Sequence, residues 1–407
     1  MTATAFRPGR YLLPNREIDL SRWAVVACDQ YTSQPEYWQR VEEYVGIAPS
    51  TLQLMLPEIY LPESAERIPL IHQAMRCAMA DGTLTETPVS FILIERTTQA
   101  GSRLGLLGCV DLEQYSYEAG AKAAIRPTEE TVASRLPPRM AIRRKAPLEL
   151  SHILLLADDP RHTLIEPLYA MKESLPLLYQ TELMEEGGSI RGWLISDSHL
   201  PGIDGVLQEL CETHDGFLFA VGDGNHSLAT AKACWEELKP RLTPKQRQSH
   251  PARFAMAEVV NIHDPALTFE PIHRLLTGVL PDHFLRDLLR ITEPAAGTPD
   301  VVYIADGQRR PLVLKDRSRP LPVQAVQEWL DDWLFMHEGA KIDYIHGADA
   351  MLELTARSDA AGLLLPPVPK ERFFALLGQL GVMPRKTFSL GEANEKRYYL
   401  ECRRIQN

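Results

Sequence analysis

The sequence predicts an α/β fold, and three observations carry that reading. Short apolar runs rich in β-branched and aromatic residues alternate with stretches in which apolar residues recur every three or four positions. One run, Phe217-Leu218-Phe219-Ala220-Val221, passes through a Gly-Asp-Gly turn straight into an amphipathic helical pattern. Beyond residue 281 the strand and helix pattern restarts. The expected architecture is therefore a larger N-terminal α/β region followed by a smaller C-terminal α/β unit.

In chain order, the apolar runs at 89–95, 104–112, 153–157, 192–196, 216–221, 254–262 and 301–305 are expected strands, because each is short and bounded by turn residues. Helices are expected at 35–44, 226–239, 323–337, 348–356 and 370–380, where one face is apolar. The boundary between the two regions is expected around 277–281, giving 1–278 and 279–407. The last part reads strand, helix, strand, helix, strand at 341–345, 348–356, 361–365, 370–380 and 398–402, one α/β unit.

A chain of 407 residues with 45% hydrophobic content buries a large core without covalent staples. Its six cysteines, Cys28, Cys77, Cys109, Cys211, Cys234 and Cys402, are scattered with no C-x-x-C pair, so they read as reduced thiols rather than as a disulfide framework or zinc ribbon. The first ten residues lack an apolar signal region, and no apolar run reaches membrane length. The expectation is a cytoplasmic protein with no membrane partner. A formal net charge of −11 opposes nucleic acid binding, which needs a phosphate-neutralising surface. No ligand-spaced histidine pair is present among the 12 histidines, so no transition metal is expected. One basic cluster stands out, Arg135, Arg139, Arg143, Arg144 and Lys145. Arg139 and Arg143, four apart, share a helical face and suit either solvent or an anion.

The chemistry is concentrated at Gly222-Asp223-Gly224-Asn225-His226-Ser227. Strand, tight glycine turn, helix is the geometry of an anion site: glycine lets the backbone approach, and the helix start presents N–H groups backed by the positive end of its dipole. Asn225, His226 and Ser227 can donate to phosphate oxygens, and Asp223 can hold Mg²⁺ or orient a neighbour. The structural alternative is that Asp-Gly makes the turn and Asn225 or Ser227 caps the helix. A second segment, Ile125-Arg126-Pro127-Thr128-Glu129-Glu130-Thr131, reads as an extended Arg126 before a helix that starts at Thr128. Asp29-Gln30 follows the apolar run 23–28, a strand-end position of the kind that borders a cleft.

Five ordered blocks carry a resemblance: Ile125-Arg126-Pro127-Thr128-Glu129, Asp223-Gly224-Asn225-His226, Asn261-Ile262-His263-Asp264-Pro265, Pro271-Ile272-His273-Arg274, and Val382-Met383-Pro384-Arg385-Lys386-Thr387. Together they resemble the DUF1015 family of unknown function over roughly 27–403. That family is similar in turn to the ParB-like superfamily, and most closely to its free serine kinases, which use ADP to phosphorylate serine. The resemblance implies a ParB-like nucleotide-binding core and a nucleotide-dependent phosphotransferase acting on a small hydroxyl metabolite, free serine included. ADP or ATP with Mg²⁺ would be the cofactor. In the kinases a Pro-His-Glu segment supplies the catalytic carboxylate and an Asp-Gly-His-His-Arg turn meets the phosphates.

Carried over, the resemblance makes Glu129 the general base, puts Asp223 and His226 in the catalytic set, and lines the phosphates with Gly222, Gly224, Asn225 and Ser227. Arg126, Arg139 and Arg143 are candidate phosphate contacts, and His273, Arg274, Lys386 and Thr387 join Asp29 and Gln30 as candidate pocket residues. The sequence departs from the kinases where Thr128 replaces a histidine, Asn225 a histidine and Ser227 an arginine, which removes a planar, permanently charged phosphate clamp. Two other classes stay open on that account: a non-catalytic nucleotide or phospho-metabolite binding regulator, and a phosphoserine phosphatase-like hydrolase with water as acceptor.

Overall fold

The computed structural model describes residues 5–118 and 120–406, so the first four residues of the N-terminal stretch read above lie outside the described residues. The fold is mixed α/β with several sheets. The chain divides into two units, Met1–Leu267 with Glu392–Asn407, and Thr268–Gly391.

This division differs at both ends from the one the pattern suggests. The strand Phe269–Thr277 lies on the N-terminal side of the expected 278/279 break, yet it pairs with Lys341–His346 and Ala360–Leu364 of the second unit. Residues 398–402, expected to close the C-terminal unit, pair instead with Val25–Val26 and Leu148–Leu150 of the first unit. An apolar strand is satisfied by any edge with matching free N–H and C=O groups, and its own pattern does not say which edge that is.

In the first unit the sheet is formed by β1 (Phe6–Arg7), β2 (Phe91–Thr98), β3 (Gly101–Asp111), β4 (Ile125–Pro127), β5 (Leu154–Ala157), β6 (Leu177–Leu183), β7 (Gly188–Ile195), β8 (Phe219–Asp223) and β9 (Phe254–Asn261). Its order is β6-β7-β2-β3-β9-β5-β8-β4, with β1 added on β3. Two pairings set which residues share an edge: β4 runs parallel to β8, and β5 runs antiparallel to it. The longer helices are α1 (Pro35–Val45), α2 (Ser64–Ala80), α3 (Leu136–Arg143), α4 (Leu200–Thr213) and α5 (Asn225–Leu238).

Side chains alternate across a strand, and both faces of this sheet are covered. Ile92 and Ile94 join a core with Trp23, Trp38 and Met256, whereas Phe91 and Leu93 join another with Phe219, Val221 and Trp235. Burial on both faces explains why the strands read as continuous apolar runs rather than as alternating ones. Two helices gave no usable pattern. α2 carries Pro69 inside it, and α4 has a proline in its first turn followed by Gly202 and Gly205, residues that weaken helix propensity.

The second unit holds a sheet ordered Thr292–Pro294, Gln308–Leu314, Val301–Ala305, Ala360–Leu364, Phe269–Thr277, Lys341–His346, with Phe388–Leu390 pairing the start of Phe269–Thr277. Phe269, Phe373 and Phe388 pack together, with ring centroids 4.8–5.4 Å apart.

The tail, residues 392–407, is bound into the first unit by buried charge. Arg397 donates to Ser151 O at 3.0 Å, to Glu258 at 2.9 Å and to Glu401 at 2.6 Å. Arg403 donates to Glu149 at 2.6 Å, and the other Glu149 oxygen pairs with Arg143 at 2.5 Å. Burial pushes the Glu149 carboxyl up, but Arg143 and Arg403 outweigh it and hold the group below its ordinary value. Replacing Arg397 by methionine leaves Glu401 buried without its cation and Glu258 with Arg103 at 3.6 Å. The expected result is a loss of about 3–5 kcal/mol from the first unit, read as an earlier urea midpoint in tryptophan fluorescence.

Candidate functional site

The strand β8 ends in Gly222 and Asp223, Gly224 takes the left-handed conformation (φ 76°, ψ 26°), and α5 begins at Asn225. A Cβ on Gly224 would stand 3.0 Å from Ile153 Cα and 3.4 Å from His152 Cδ2, so both backbone and space require glycine. The helix begins without a side-chain cap, although the first turn of an α-helix has N–H groups with no intrahelical partner and carries partial positive charge. The structure thus corrects the capping alternative. Asn225 faces away from its own helix: its Oδ1 accepts Thr128 N–H at 3.1 Å and its Nδ2 donates to Thr128 Oγ1 at 3.1 Å. Ser227 Oγ lies 3.1 Å from His152 Nε2.

Because β4 is parallel to β8, with Pro127 opposite Val221, the residues after Pro127 arrive at the same edge as the turn. Thr128 donates its hydroxyl to Val221 O at 2.6 Å. The helix expected to start at Thr128 does not form there: its hydroxyl and N–H are spent on β8 and Asn225, and α3 starts only at Leu136 after a short turn over Ala133–Arg135. Glu129 is held between two tethers, Thr128 on Asn225 and Val132 N–H on His226 Nε2 at 3.4 Å. The candidate base therefore runs beside the first turn of α5.

The antiparallel strand β5 places its start, not its end, at this edge: Leu154 is opposite Asp223. That register brings in His152, a residue sequence reasoning missed. His152 is buried, with Nδ1 2.6 Å from Tyr399 OH and Nε2 facing Ser227 and, at 3.5 Å, Asp29 Oδ2. Gln30 Nε2 donates to Asp29 Oδ1 at 2.9 Å. Asp223 accepts Gly224 N–H at 2.8 Å and pairs with Lys396 at 3.1 Å. Burial pushes the Asp223 carboxyl up, but Lys396, then His152 and the Gly224 N–H, hold it below its ordinary value. His152 carried a weak signal, since it precedes an apolar strand run as Asp29 follows one. Lys396 and Tyr399 carried none, being about 170 residues from the turn along the chain.

Other expected residues are committed elsewhere. Arg126 donates to Ala123 O at 3.0 Å and its guanidinium lies 4.2 Å from the Phe217 ring centre. Arg139 and Arg143 do share a face of α3, but they pair with Glu58 and Glu149, and Arg144 pairs with Glu237. His273, Arg274, Lys386 and Thr387 belong to the second unit. Arg274 is buried there and donates to Ile272 O, Lys386 O and Gln327. His273 accepts Leu365 N–H at 3.2 Å, and burial with Arg274 beside it lowers its imidazole to about 4. Thr387 donates to Pro384 O at 2.5 Å. Asp223, read as able to hold Mg²⁺ or to orient a neighbour, pairs here with Lys396, and among the described residues no group of three or more His, Cys, Asp or Glu is gathered to hold a metal. Among the described residues, too, no helix is long and apolar enough to cross a membrane.

A pocket of about 130 Å³ opens next to the turn, lined by Cys28, Glu58, Arg139, His152, Ser227 and Tyr399 together with aliphatic side chains. Burial, with Asp29 nearby, pushes the Cys28 thiol up to about 12, so it is protonated and unreactive at neutral pH.

The model of the family described as "Protein of unknown function (DUF1015)" matches residues 7–333. No curated protein matches the chain. Among solved structures, a free serine kinase in complex with AMP shares 10% identity, with 73% of this chain and 90% of that one covered and a TM-score of 0.40. A C-terminally truncated SbnI from Staphylococcus aureus shares 12%, covering 70% and 82% at 0.38. A conserved hypothetical protein from Pyrococcus furiosus shares 11%, covering 71% and 92% at 0.37. All three likenesses are remote.

The turn generates two expected outcomes. Gly224→Ala forces an L-residue into the left-handed region against Ile153, and is expected to cost about 1–3 kcal/mol in chemical denaturation. Asp223 has a lowered carboxyl, so its contribution to stability is present above the ordinary aspartate value and lost as pH falls through the lower folded value. Asp223→Asn is therefore expected to be less stable than wild type at neutral pH by about 1 kcal/mol. The gap should close on acidification, as melting curves from neutral pH downward would record.

Proposed function

Taking as premise that the chain belongs to the DUF1015 family, we propose that it is a nucleotide-dependent phosphotransferase on a ParB-like nucleotide-binding core. It acts in the cytoplasm on a small hydroxyl metabolite of the kind free serine represents. One observation carries the reading: parallel pairing of β4 and β8 brings Glu129 beside the uncapped start of α5. Phosphoryl transfer needs donors positioned on the phosphates and one base near the acceptor hydroxyl. In this reading the start of α5, with Gly222, Gly224, Asn225 and His226, meets the phosphates. Lys396, held by Asp223, adds a cation. Mg²⁺ arrives with ADP or ATP and shields the phosphate charge, and Glu129 takes the acceptor proton.

A second reading has its own support. Thr128, Asn225 and Ser227 stand where the kinases have two imidazoles and a guanidinium, and here their side chains are bound to one another and to His152. A site stabilised in this way suits a nucleotide-binding regulator that holds its ligand without turnover.

The two are separated by one series. ADP and ATP with Mg²⁺ are expected to raise the melting temperature of the wild type, since a ligand at a hundredfold its Kd adds about 2.7 kcal/mol, and Asp223→Ala is expected to remove the shift. Phosphorylation of a panel of small alcohols, serine included, followed by mass is expected to fall about 10²–10⁴-fold in Glu129→Gln, with the nucleotide shift intact. A shift with no turnover in the wild type selects the regulator, and no shift from any phosphate-bearing ligand rejects both.

A further inference from the structure

The pocket beside the turn has properties that the nucleotide reading does not use. At about 130 Å³ it is slightly smaller than a cavity of ~150 Å³ that holds one benzene, and far below the ~300–1,000 Å³ of a drug-sized site. A nucleotide does not fit inside it. Leu54, Met55, Met75, Leu148 and Ile153 make its walls apolar. The charges that reach it are already balanced, Glu58 by Arg139 and Glu149 by Arg143. Its polar corner is His152 Nε2 with Ser227 Oγ at 3.1 Å. The ring is anchored on its other side by Tyr399 OH, which itself accepts Cys28 N–H at 3.3 Å. Ser227 and Thr230 of α5 form part of the lining, so the pocket adjoins the turn, whereas Asp223 and Glu129 are not among its lining residues.

We infer that this is the acceptor pocket, and that it takes a compact alcohol with an apolar body whose hydroxyl is held by His152 Nε2. The word acceptor rests on the phosphotransferase reading above; the pocket and its ligand class do not. Free serine fits it poorly, because its ammonium and carboxylate would face aliphatic walls or break an ion pair already made, and burying an unpaired charge is strongly unfavourable. An aliphatic body displaces water from those walls, and one hydroxyl joins the hydrogen bond between His152 Nε2 and Ser227 Oγ, where Asp29 Oδ2 also lies 3.5 Å from Nε2. His152 is the specificity contact in this arrangement.

The test uses the full chain and two probes, isoamyl alcohol and isoamyl chloride, with serine as the polar comparison, in saturation-transfer NMR without nucleotide. The alcohol is expected to bind, with the chloride about five-fold weaker for want of one hydrogen bond and serine weaker still. His152→Leu should erase the difference between alcohol and chloride, and His152→Gln should restore part of it. Ala146→Leu is expected to block the pocket while leaving the ADP-dependent melting shift in place. Leu61→Trp, at a half-buried lining position, is the second blocking variant should the first fail to fold. Serine binding as tightly as the alcohol, or alcohol binding that survives a folded blocking variant, overturns the inference. An ADP shift without alcohol binding also overturns it and leaves the nucleotide reading standing. Alcohol binding without any ADP shift supports the pocket and overturns the phosphotransferase reading instead.

Discussion

The first unit depends on an arrangement of buried charge that fixes the C-terminal segment to the middle of its sheet. Arg397 lies between Glu258 and Glu401, and Arg403 shares Glu149 with Arg143. An isolated buried ion is opposed by several kcal/mol of lost hydration, and a single partner seldom offsets it. Here Arg397 and Arg403 each have more than one acceptor, and Glu149 also receives Met256 N–H at 3.0 Å. A network satisfied on most sides is rigid, since moving any member leaves another uncompensated. Glu258 and Met256 sit on β9, in the middle of the sheet, so the tail is fixed to the sheet centre and not to a loose edge. Lys396 and Tyr399 lie next to these anchors in sequence, and they inherit that rigidity where they meet Asp223 and His152.

Strand direction does the rest of the assembly. Four segments far apart in the chain, around Asp29, Glu129, His152 and Asp223, meet at one edge of one sheet. The parallel partner β4 delivers the residues after its last position, and the antiparallel partner β5 delivers those before its first. A shift of one residue in the β5 register would turn the side chain at 152 to the opposite face. Ile153 supports the register from within, because Gly224 packs against its backbone at a distance that would crowd a Cβ. The glycine is thus needed for the fit of two strands as much as for the turn.

Much of this was legible in the sequence where the signal is local. The strand 301–305 is found as expected, and the helices over Pro35–Val45, Asn225–Leu238 and Pro322–Met336 fall within a residue of the pattern. Each of these has a periodicity that its own residues complete. The strand, glycine and helix at Gly224 were legible for the same reason, as a conformational need of one residue. What was lost is non-local. The apolar run 398–402 looks the same whether it closes the second unit or returns to the first, and its partners Val25 and Leu150 are about 370 and 250 positions away. Thr128 looks like a helix cap until β8 presents Val221 O to it. His273 and Arg274 form a polar pair in sequence, but in the fold they are interior residues of a strand whose charge is absorbed by backbone carbonyls.

The charge at the edge bears on how a phosphate would be accommodated. Asp223 pairs with Lys396 and Asp29 lies beside the imidazole of His152, near the positive end of α5. Arg139, Arg143 and Arg144 add nothing, since Glu58, Glu149 and Glu237 neutralise them. An incoming di- or triphosphate would bring more negative charge than one ammonium and one helix dipole offset. Such a ligand must carry its own counter-cation, or Asp223 must release Lys396 to it. The second course runs against the direction in which Lys396 and the Gly224 N–H hold the Asp223 carboxylate. On the phosphotransferase reading, the arrangement therefore suits a ligand that enters already paired with a divalent ion.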